Sequence, residues 1–138
     1  MPAILVVQAD PALRESWSKA LAARKYAVLA ERDVPEAVAR AREGGIDAVL
    51  LDSVEPGRSA RTLIDELGRL PEPPPLILVS SSPKAPELSA HLGAAAFVPK
   101  PCSPDEVAGV VAGVVGARVR LIPDDEPTEP TDRTTRDR

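Results

Sequence analysis

Short apolar runs alternate with longer amphipathic segments five times along this chain. Each apolar run is bounded by proline, glycine or polar residues, which is typical of strands. Runs with so little polar alternation indicate a parallel sheet that is covered on both faces. The pattern therefore predicts an α/β fold of repeated β-α units. The predicted strands are Ile4–Val7, Ala27–Ala30, Ile46–Leu51, Leu76–Val79 and Ala95–Val98.

Helix-capping residues precede several of the amphipathic segments. Asp10 is followed by Pro11, which offers an N-cap carboxylate and a proline at a position where no amide donor is lost. Ser103 is followed three residues later by Glu106, the spacing of a capping box. Gly93 stands where a helix is expected to end. These signals divide the chain into the same segments as the apolar pattern does.

The amino-acid composition limits the kind of core, the partners and the cellular compartment that we expect. Of the 138 residues, 43% are hydrophobic but only 2% are aromatic, so the core of one domain must be aliphatic. The net charge of −4 and the lack of a basic block argue against nucleic acid as a partner. A single cysteine excludes an internal disulfide, and the N-terminus does not resemble a secretion signal. These two features make the cytoplasm the expected compartment. No apolar stretch reaches the roughly 20 residues of a membrane span, so we also predict no membrane span.

The C-terminal segment differs from the rest of the chain. After Ile122 it contains proline, threonine and charged residues but no large apolar side chain. Such a segment cannot bury enough surface to offset the entropy of ordering. We therefore predict a domain over residues 1–118 and a disordered tail over residues 119–138.

Polar residues stand at the ends of the predicted strands. Asp52 follows the third strand, Ser80 the fourth and Lys100 the fifth, whereas Gln8 and Ala9 follow the first. The carboxyl ends of parallel strands meet at one edge of a sheet, where ligands bind in such folds. A carboxylate beside a lysine and a hydroxyl provides a nucleophile, a counter-charge and a hydrogen-bond donor for a phosphoryl group. The sequence therefore predicts a pocket with phosphate-handling chemistry.

Over residues 3 to about 117 the chain resembles the receiver domains of two-component response regulators. The matching segments are ILVV-x-x-D-P, VLLDSVEPG, LILVS and GAAAFVPKP, in the family's order. The resemblance implies a doubly wound, five-stranded parallel sheet of order 2-1-3-4-5 with five helices, the flavodoxin- or CheY-like three-layer sandwich. It also implies a role in phosphorelay signal transduction, with a sensor kinase or other signalling proteins as partners.

The same resemblance implies roles for individual residues. Asp52 occupies the phosphoacceptor position, and the carbonyl of Val54 corresponds to a ligand of the divalent metal. Ser80 corresponds to the hydroxyl that moves toward the phosphoryl group, and Lys100 to the lysine that pairs with it. Two further positions match the activation switch, namely the aromatic residue Phe97 and Pro101, whose preceding peptide bond is usually cis in the family.

One departure from the family pattern affects the expected chemistry. Receivers usually carry two acids directly after the first strand, where this chain has Gln8 and Ala9. Magnesium normally requires concentrated oxygen ligands, so we expect weak metal affinity and a close ion pair between Asp52 and Lys100. Asp10 lies one position late and is only a weak candidate ligand, since an N-cap role explains it more simply.

Three functional hypotheses follow. The first is an atypical receiver, with no cofactor, that signals mainly through protein contacts and is at most an enzyme for its own phosphorylation at Asp52. The alternative is a conventional magnesium-dependent phosphoacceptor. The third, a flavodoxin-like module for small ligands, is disfavoured because no glycine-rich turn follows the first strand.

The final predicted helix is apolar on both faces from Val107 to Ala117. A helix docked on a sheet needs only one apolar stripe. The residues left over are expected to face outward and to form a homodimer or partner interface, although a solvated helix of small residues is the simpler alternative. These residues are Gly109, Val110, Ala112 and Gly113. Elsewhere, Trp17 is expected in the core, Cys102 as a packed side chain and His91 as a solvated one.

Overall fold

The computed structural model describes residues 1–53 and 56–121 of the chain, in which five strands alternate with five helices. The strands are β1 (Ala3–Val7), β2 (Ala27–Glu31), β3 (Ala48–Asp52), β4 (Leu76–Ser80) and β5 (Ala96–Pro99). The helices are α1 (Pro11–Ala23), α2 (Val34–Arg42), α3 (Pro56–Leu67), α4 (Ala85–Leu92) and α5 (Pro104–Leu121). None of these helices combines the length and the apolar character needed to cross a bilayer.

The five strands form one parallel sheet in the order β2-β1-β3-β4-β5. The predicted fold is therefore confirmed. The winding direction reverses between β1 and β3, and this switch point is where open α/β sheets bind ligands beyond the carboxyl ends of the strands. Residues that follow β1 and β3 consequently lie side by side.

Two apolar layers cover the sheet. Trp17 and Leu21 of α1 pack with Val107 and Val111 of α5 on one face. Small and aliphatic residues from the three remaining helices pack on the other face, for example Leu63 of α3. Trp17 is only 2% exposed, which confirms its predicted place in the core. The few aromatic residues leave the rest of this core to aliphatic packing.

The strand boundaries differ slightly from those predicted. β3 begins at Ala48, two residues later than expected, because the chain is still turning through Gly44 and Gly45, whose φ angles are 86° and 79°. Ile46 is nevertheless buried, which explains why the apolar pattern included it in the strand. At their carboxyl ends, β2, β4 and β5 each extend further than predicted, so that Ser80 is the last residue of β4.

The structure places the residues of α5 differently from the predicted outward-facing patch. Gly113 is exposed, but Gly109, Val110 and Ala112 are half-buried, and Val110 packs against the core. At Gly109 the neighbour is Arg24, the C-cap residue of α1, whose side chain would lie 3.7 Å from an added Cβ. The apolar surface available on α5 is therefore smaller than the sequence indicated.

The last helix also extends past the predicted domain boundary. α5 continues to Leu121 and so includes the first three residues of the segment expected to form the tail. Residues 122–138 lie outside the described part of the chain, and the disordered tail stays a prediction.

Candidate functional site

The carboxyl edge of the sheet brings four of the predicted site residues to neighbouring positions. β3 ends at Asp52, β4 ends at Ser80, and Gln8 and Lys100 follow β1 and β5 directly. The β3–β4 register aligns Asp52 with Val79, one residue before Ser80. The Lys100 amide donates to the Ser80 carbonyl at 3.1 Å, which fixes the backbone of β5 beside β4.

Asp52 and Lys100 form the ion pair expected from the sequence. Lys100 Nζ lies 2.6 Å from Asp52 Oδ2, and the two side chains are 27% and 7% exposed. A charge-assisted hydrogen bond that is largely shielded from water is stronger than an exposed one. The carboxylate is thus neutralised by a partner from two strands away in the sheet.

Gln8 supplies a second donor to the same carboxylate oxygen. Its side-chain Nε2 donates to Asp52 Oδ2 at 2.5 Å, and its Oε1 accepts a hydrogen bond from the Asp10 amide at 2.9 Å. The Gln8 residue is only 3% exposed. The sequence showed that an acid was missing here, but the pattern gave no sign that the amide would donate to Asp52.

Arg14 holds the backbone on which Gln8 stands. Its Nη1 donates to the Gln8 carbonyl at 2.9 Å and to the Ala9 carbonyl at 3.4 Å. The Gln8 amide donates in turn to the Glu31 carbonyl at 3.0 Å. Backbone and side chain of Gln8 are therefore both fixed, which pre-orients its side-chain amide toward Asp52.

Asp10, the weak candidate for a metal ligand, makes other contacts. Asp10 caps α1, where its Oδ1 accepts from the amides of Ala12 at 2.9 Å and Leu13 at 3.3 Å. Ala9 has no side-chain oxygen, and Val54 lies outside the described residues. Over residues 1–53 and 56–121, no group of three or more histidine, cysteine or acidic side chains is arranged to hold a metal ion.

The predicted site residues Ser80, Phe97 and Pro101 lie on or just after the last two strands. Ser80 is 1% exposed, and its hydroxyl oxygen accepts from the Ser82 amide at 3.1 Å. Phe97 is half-buried and packs toward the face of the sheet that carries α2, α3 and α4. The peptide bond between Lys100 and Pro101 is cis. Lys100, which follows β5, is the residue of this region whose side chain is seen to contact Asp52 in the described part of the chain.

Two other singled-out residues lie where they were expected. Cys102 is half-buried against the apolar layer of α1 and α5, and burial raises the pKa of its thiol. A raised thiol pKa lowers the thiolate fraction at neutral pH and with it the reactivity. His91 is exposed in the last turn of α4.

Ser53 is a feature of the site that the sequence did not reveal. It directly follows Asp52, is 9% exposed, and its hydroxyl lies 2.6 Å from the hydroxyl of Ser59 in α3. Its amide donates to the Val79 carbonyl at 3.1 Å. The residue next to Asp52 is therefore tied to α3 as well as to β4.

Comparison with known structures supports the fold. The fold is similar to that of a CheY-like response regulator receiver domain protein from Methanospirillum hungatei, with 21% identity, a TM-score of 0.75, and coverage of 87% of this chain and 98% of that one. For a non-phosphorylated HemR receiver domain from Leptospira biflexa, the identity is 26%, the TM-score 0.72 and the coverage 83% and 94%.

A response regulator from Thermotoga maritima is 21% identical, with a TM-score of 0.73 and coverage of 84% and 98%. No curated protein sequence is significantly similar to this chain. The family described as "Response regulator receiver domain" matches residues 4–112. Together with the parallel sheet and the Asp52 pocket at its carboxyl edge, this match shows that the chain belongs to the receiver domain family of two-component response regulators.

Proposed function

We propose that this chain is an atypical receiver, in which Asp52 is held by two donors and signalling depends mainly on contacts with other proteins. The observation that carries the proposal is the double engagement of Asp52 Oδ2, by Lys100 Nζ at 2.6 Å and by Gln8 Nε2 at 2.5 Å. Receiver domains are in general signalling modules rather than enzymes. For this one, self-phosphorylation at Asp52 is the most enzymatic activity that we expect.

The donor set of the pocket does not fit the divalent metal that the family implies. A magnesium ion needs several oxygen ligands in near-octahedral geometry. Here Gln8 directs an N–H rather than an oxygen at Asp52, and Ala9 contributes nothing. One oxygen of the Asp10 carboxylate, Oδ1, accepts from the first amides of α1. We therefore propose that magnesium binding is weak or absent.

Without a metal, the pocket lacks the means to accept a phosphoryl group at a useful rate. Phosphoryl transfer depends on positive charge that neutralises the transferring oxygens. Lys100 is the one cation seen to contact Asp52 among the described residues, and its ammonium already pairs with the nucleophile. The same contact lowers the availability of the Asp52 carboxylate for attack. Each factor reduces the expected rate of phosphorylation.

The conventional phosphoacceptor remains the second candidate. Its support is that Asp52, Ser80 and Lys100, which correspond to the family's functional residues by the sequence resemblance, stand at the carboxyl ends of neighbouring strands. Beryllofluoride with magnesium distinguishes the two functions. In the atypical receiver, NMR signals of Ser80 and Phe97 should not move when this phosphoryl mimic is added. Saturable shifts of both signals would establish the conventional function instead.

We further propose that α5 and the adjoining edge strand β5 form an interface with another protein. The specific partner that we test is a second copy of this chain, which would make a homodimer. Support comes from the exposed Gly113 and the half-buried Val110 and Ala112 on α5. Small residues allow another backbone to approach closely, and exposed apolar patches often mark partner surfaces. Sensor kinases or other signalling proteins are the expected partners, and the cytoplasm is the expected compartment on the sequence evidence.

Light scattering tests the homodimer. Gly113→Arg should convert a dimer into a monomer, since a Cβ at this position meets nothing within 4 Å and the arginine would enter the interface rather than the core. The matched control is Ala39→Arg on the exposed side of α2, which should leave the dimer intact. A wild-type protein that is already monomeric, or a dimer unaffected by Gly113→Arg, would exclude this interface.

A further inference from the structure

A groove between α2 and α3 lies apart from the residues that contact Asp52. Its cavity volume is about 810 Å³, within the range of roughly 300–1,000 Å³ that is usual for small-molecule sites. One wall consists of apolar side chains of α2, namely Val34, Pro35 and Val38. Val34 and Val38 are half-buried, so their remaining surface is presented to the groove.

The opposite wall is polar and comes from one face of α3. Arg58, Thr62 and Glu66 are spaced four residues apart and therefore lie above one another on the helix. Ser59 and Ser53 add hydroxyl groups at the end of the groove nearest the carboxyl edge of the sheet. An apolar wall that faces a few converging polar groups is the usual composition of a small-ligand site.

The charges along this groove favour an anion. Arg42 is paired with Glu66 at 2.9 Å, and Arg69 also approaches Glu66 at 3.4 Å. Arg58 is exposed and, over the residues that the structure describes, takes part in no ion pair or hydrogen bond. Among the described residues that line the groove, the charged groups are two arginines and one glutamate, which together carry a net charge of +1 on a chain of net charge −4. The local sign is opposite to that of the whole protein.

We propose that the α2–α3 groove binds a small organic carboxylate with an apolar body. The planar guanidinium of Arg58 matches a carboxylate in a two-point contact, with the Thr62 hydroxyl available as a further donor. The apolar body would cover Val34 and Val38. None of Gln8, Asp52 and Lys100 lines the groove, so this proposal does not rest on the proposed function.

Binding of such a ligand would also be coupled to the Asp52 pocket through contacts within the protein. Ser53 lines the groove, follows Asp52 in the chain and contacts Ser59 of α3. A ligand that moved α3 relative to α2 would therefore displace the residue next to the carboxylate. For a receiver with weak phosphorylation, this connection offers an input that needs no phosphoryl group.

Heteronuclear NMR with a pair of matched probes tests the site. Phenylbutyrate should give saturable shifts of the amide signals of Val38, Ser59 and Thr62. Phenylbutanamide has the same shape without the charge and should bind at least about fivefold more weakly. Absence of saturable shifts at these residues, or equal affinity for the two probes, would overturn the proposal.

Two variants of α3 and a matched control complete the test. Arg58→Glu should weaken phenylbutyrate binding about tenfold, because an attractive charge becomes a repulsive one. Arg61→Glu makes the same charge change on the same helix but outside the groove, and should alter the affinity by no more than about twofold. Thr62→Trp, at an exposed position, should fill the groove and abolish binding. Equal effects of Arg58→Glu and Arg61→Glu, or unchanged binding to Thr62→Trp, would contradict the site.

Discussion

Phosphorylation at Asp52 is expected to become about 100-fold faster in the presence of magnesium when Gln8→Asp and Ala9→Asp are combined. The two carboxylates would restore oxygen ligands at the switch point between β1 and β3, beside the side chain of Asp52. A metal bound there would neutralise charge on the incoming phosphoryl group, and a 100-fold gain corresponds to only about 2.7 kcal/mol of the barrier. Mass detection of the phosphorylated protein after incubation with acetyl phosphate provides the measurement.

Several controls make this result interpretable. Gln8→Asn combined with Ala9→Asn changes the same positions without adding charge and should remain as slow as the wild type. Adding Asp52→Asn to the aspartate pair should remove the label. A wild type that is already labelled as fast as the aspartate variant would show that Gln8 does not limit phosphorylation.

The aspartate variant should also depend on magnesium for its stability. Gln8 is 3% exposed and contacts Asp52, so a carboxylate at this position places two like charges in a shielded site. Magnesium that binds the folded state relieves this repulsion and raises the free energy of unfolding. Urea denaturation with and without magnesium should therefore differ for the variant and agree for the wild type.

The ion pair between Asp52 and Lys100 is expected to stabilise the folded protein. Lys100→Met is expected to lower the free energy of unfolding by about 2–3 kcal/mol, because the Asp52 side chain, only 7% exposed, would keep its charge and lose its cation. Asp52→Asn should cost less, since the Lys100 side chain is 27% exposed and can turn its ammonium toward water. Urea denaturation of the two single variants and of the double variant gives the coupling energy between them.

The exposed Lys84, for which no ion pair is seen in the described part of the chain, provides the matched control. Lys84→Met makes the same substitution and should change the stability by no more than about 0.5 kcal/mol. A Lys100→Met variant as stable as Lys84→Met would mean that the Asp52–Lys100 contact contributes little. Equal losses of stability for Lys100→Met and Asp52→Asn would contradict the expectation that Asp52, the more buried charge, is the costlier one to leave without its partner.

The fold could be predicted from the sequence because its signals are local and repeated. Each strand is a short apolar run, and cap residues such as Asp10 and Ser103 fix the starts of helices through contacts within one turn. The meeting of Asp52, Ser80 and Lys100 followed from strand polarity alone, since parallel strands place their carboxyl ends at one edge. Neither inference required knowledge of a side-chain conformation.

The details that the sequence did not reveal all depend on contacts between distant segments. The donation from Gln8 to Asp52 joins residues 44 positions apart, and an absent acid in the pattern does not indicate which atom an amide will present. The partial burial of Gly109 depends on the position of Arg24, the C-cap residue of α1, beside α5. The α2–α3 groove arises from the spacing of two helices, which the apolar stripe of either helix leaves undetermined.

Titration of the wild-type protein with magnesium tests most directly whether Gln8 and Lys100 together hold Asp52 in place of a metal. The signals to follow by NMR are the side-chain NH₂ of Gln8 and the backbone amides of Asp52 and Ser53. The account predicts that they keep their positions as magnesium is raised through the millimolar range at constant ionic strength. A saturable shift of the Gln8 NH₂ signal, accompanied by displacement of Asp52, would contradict it.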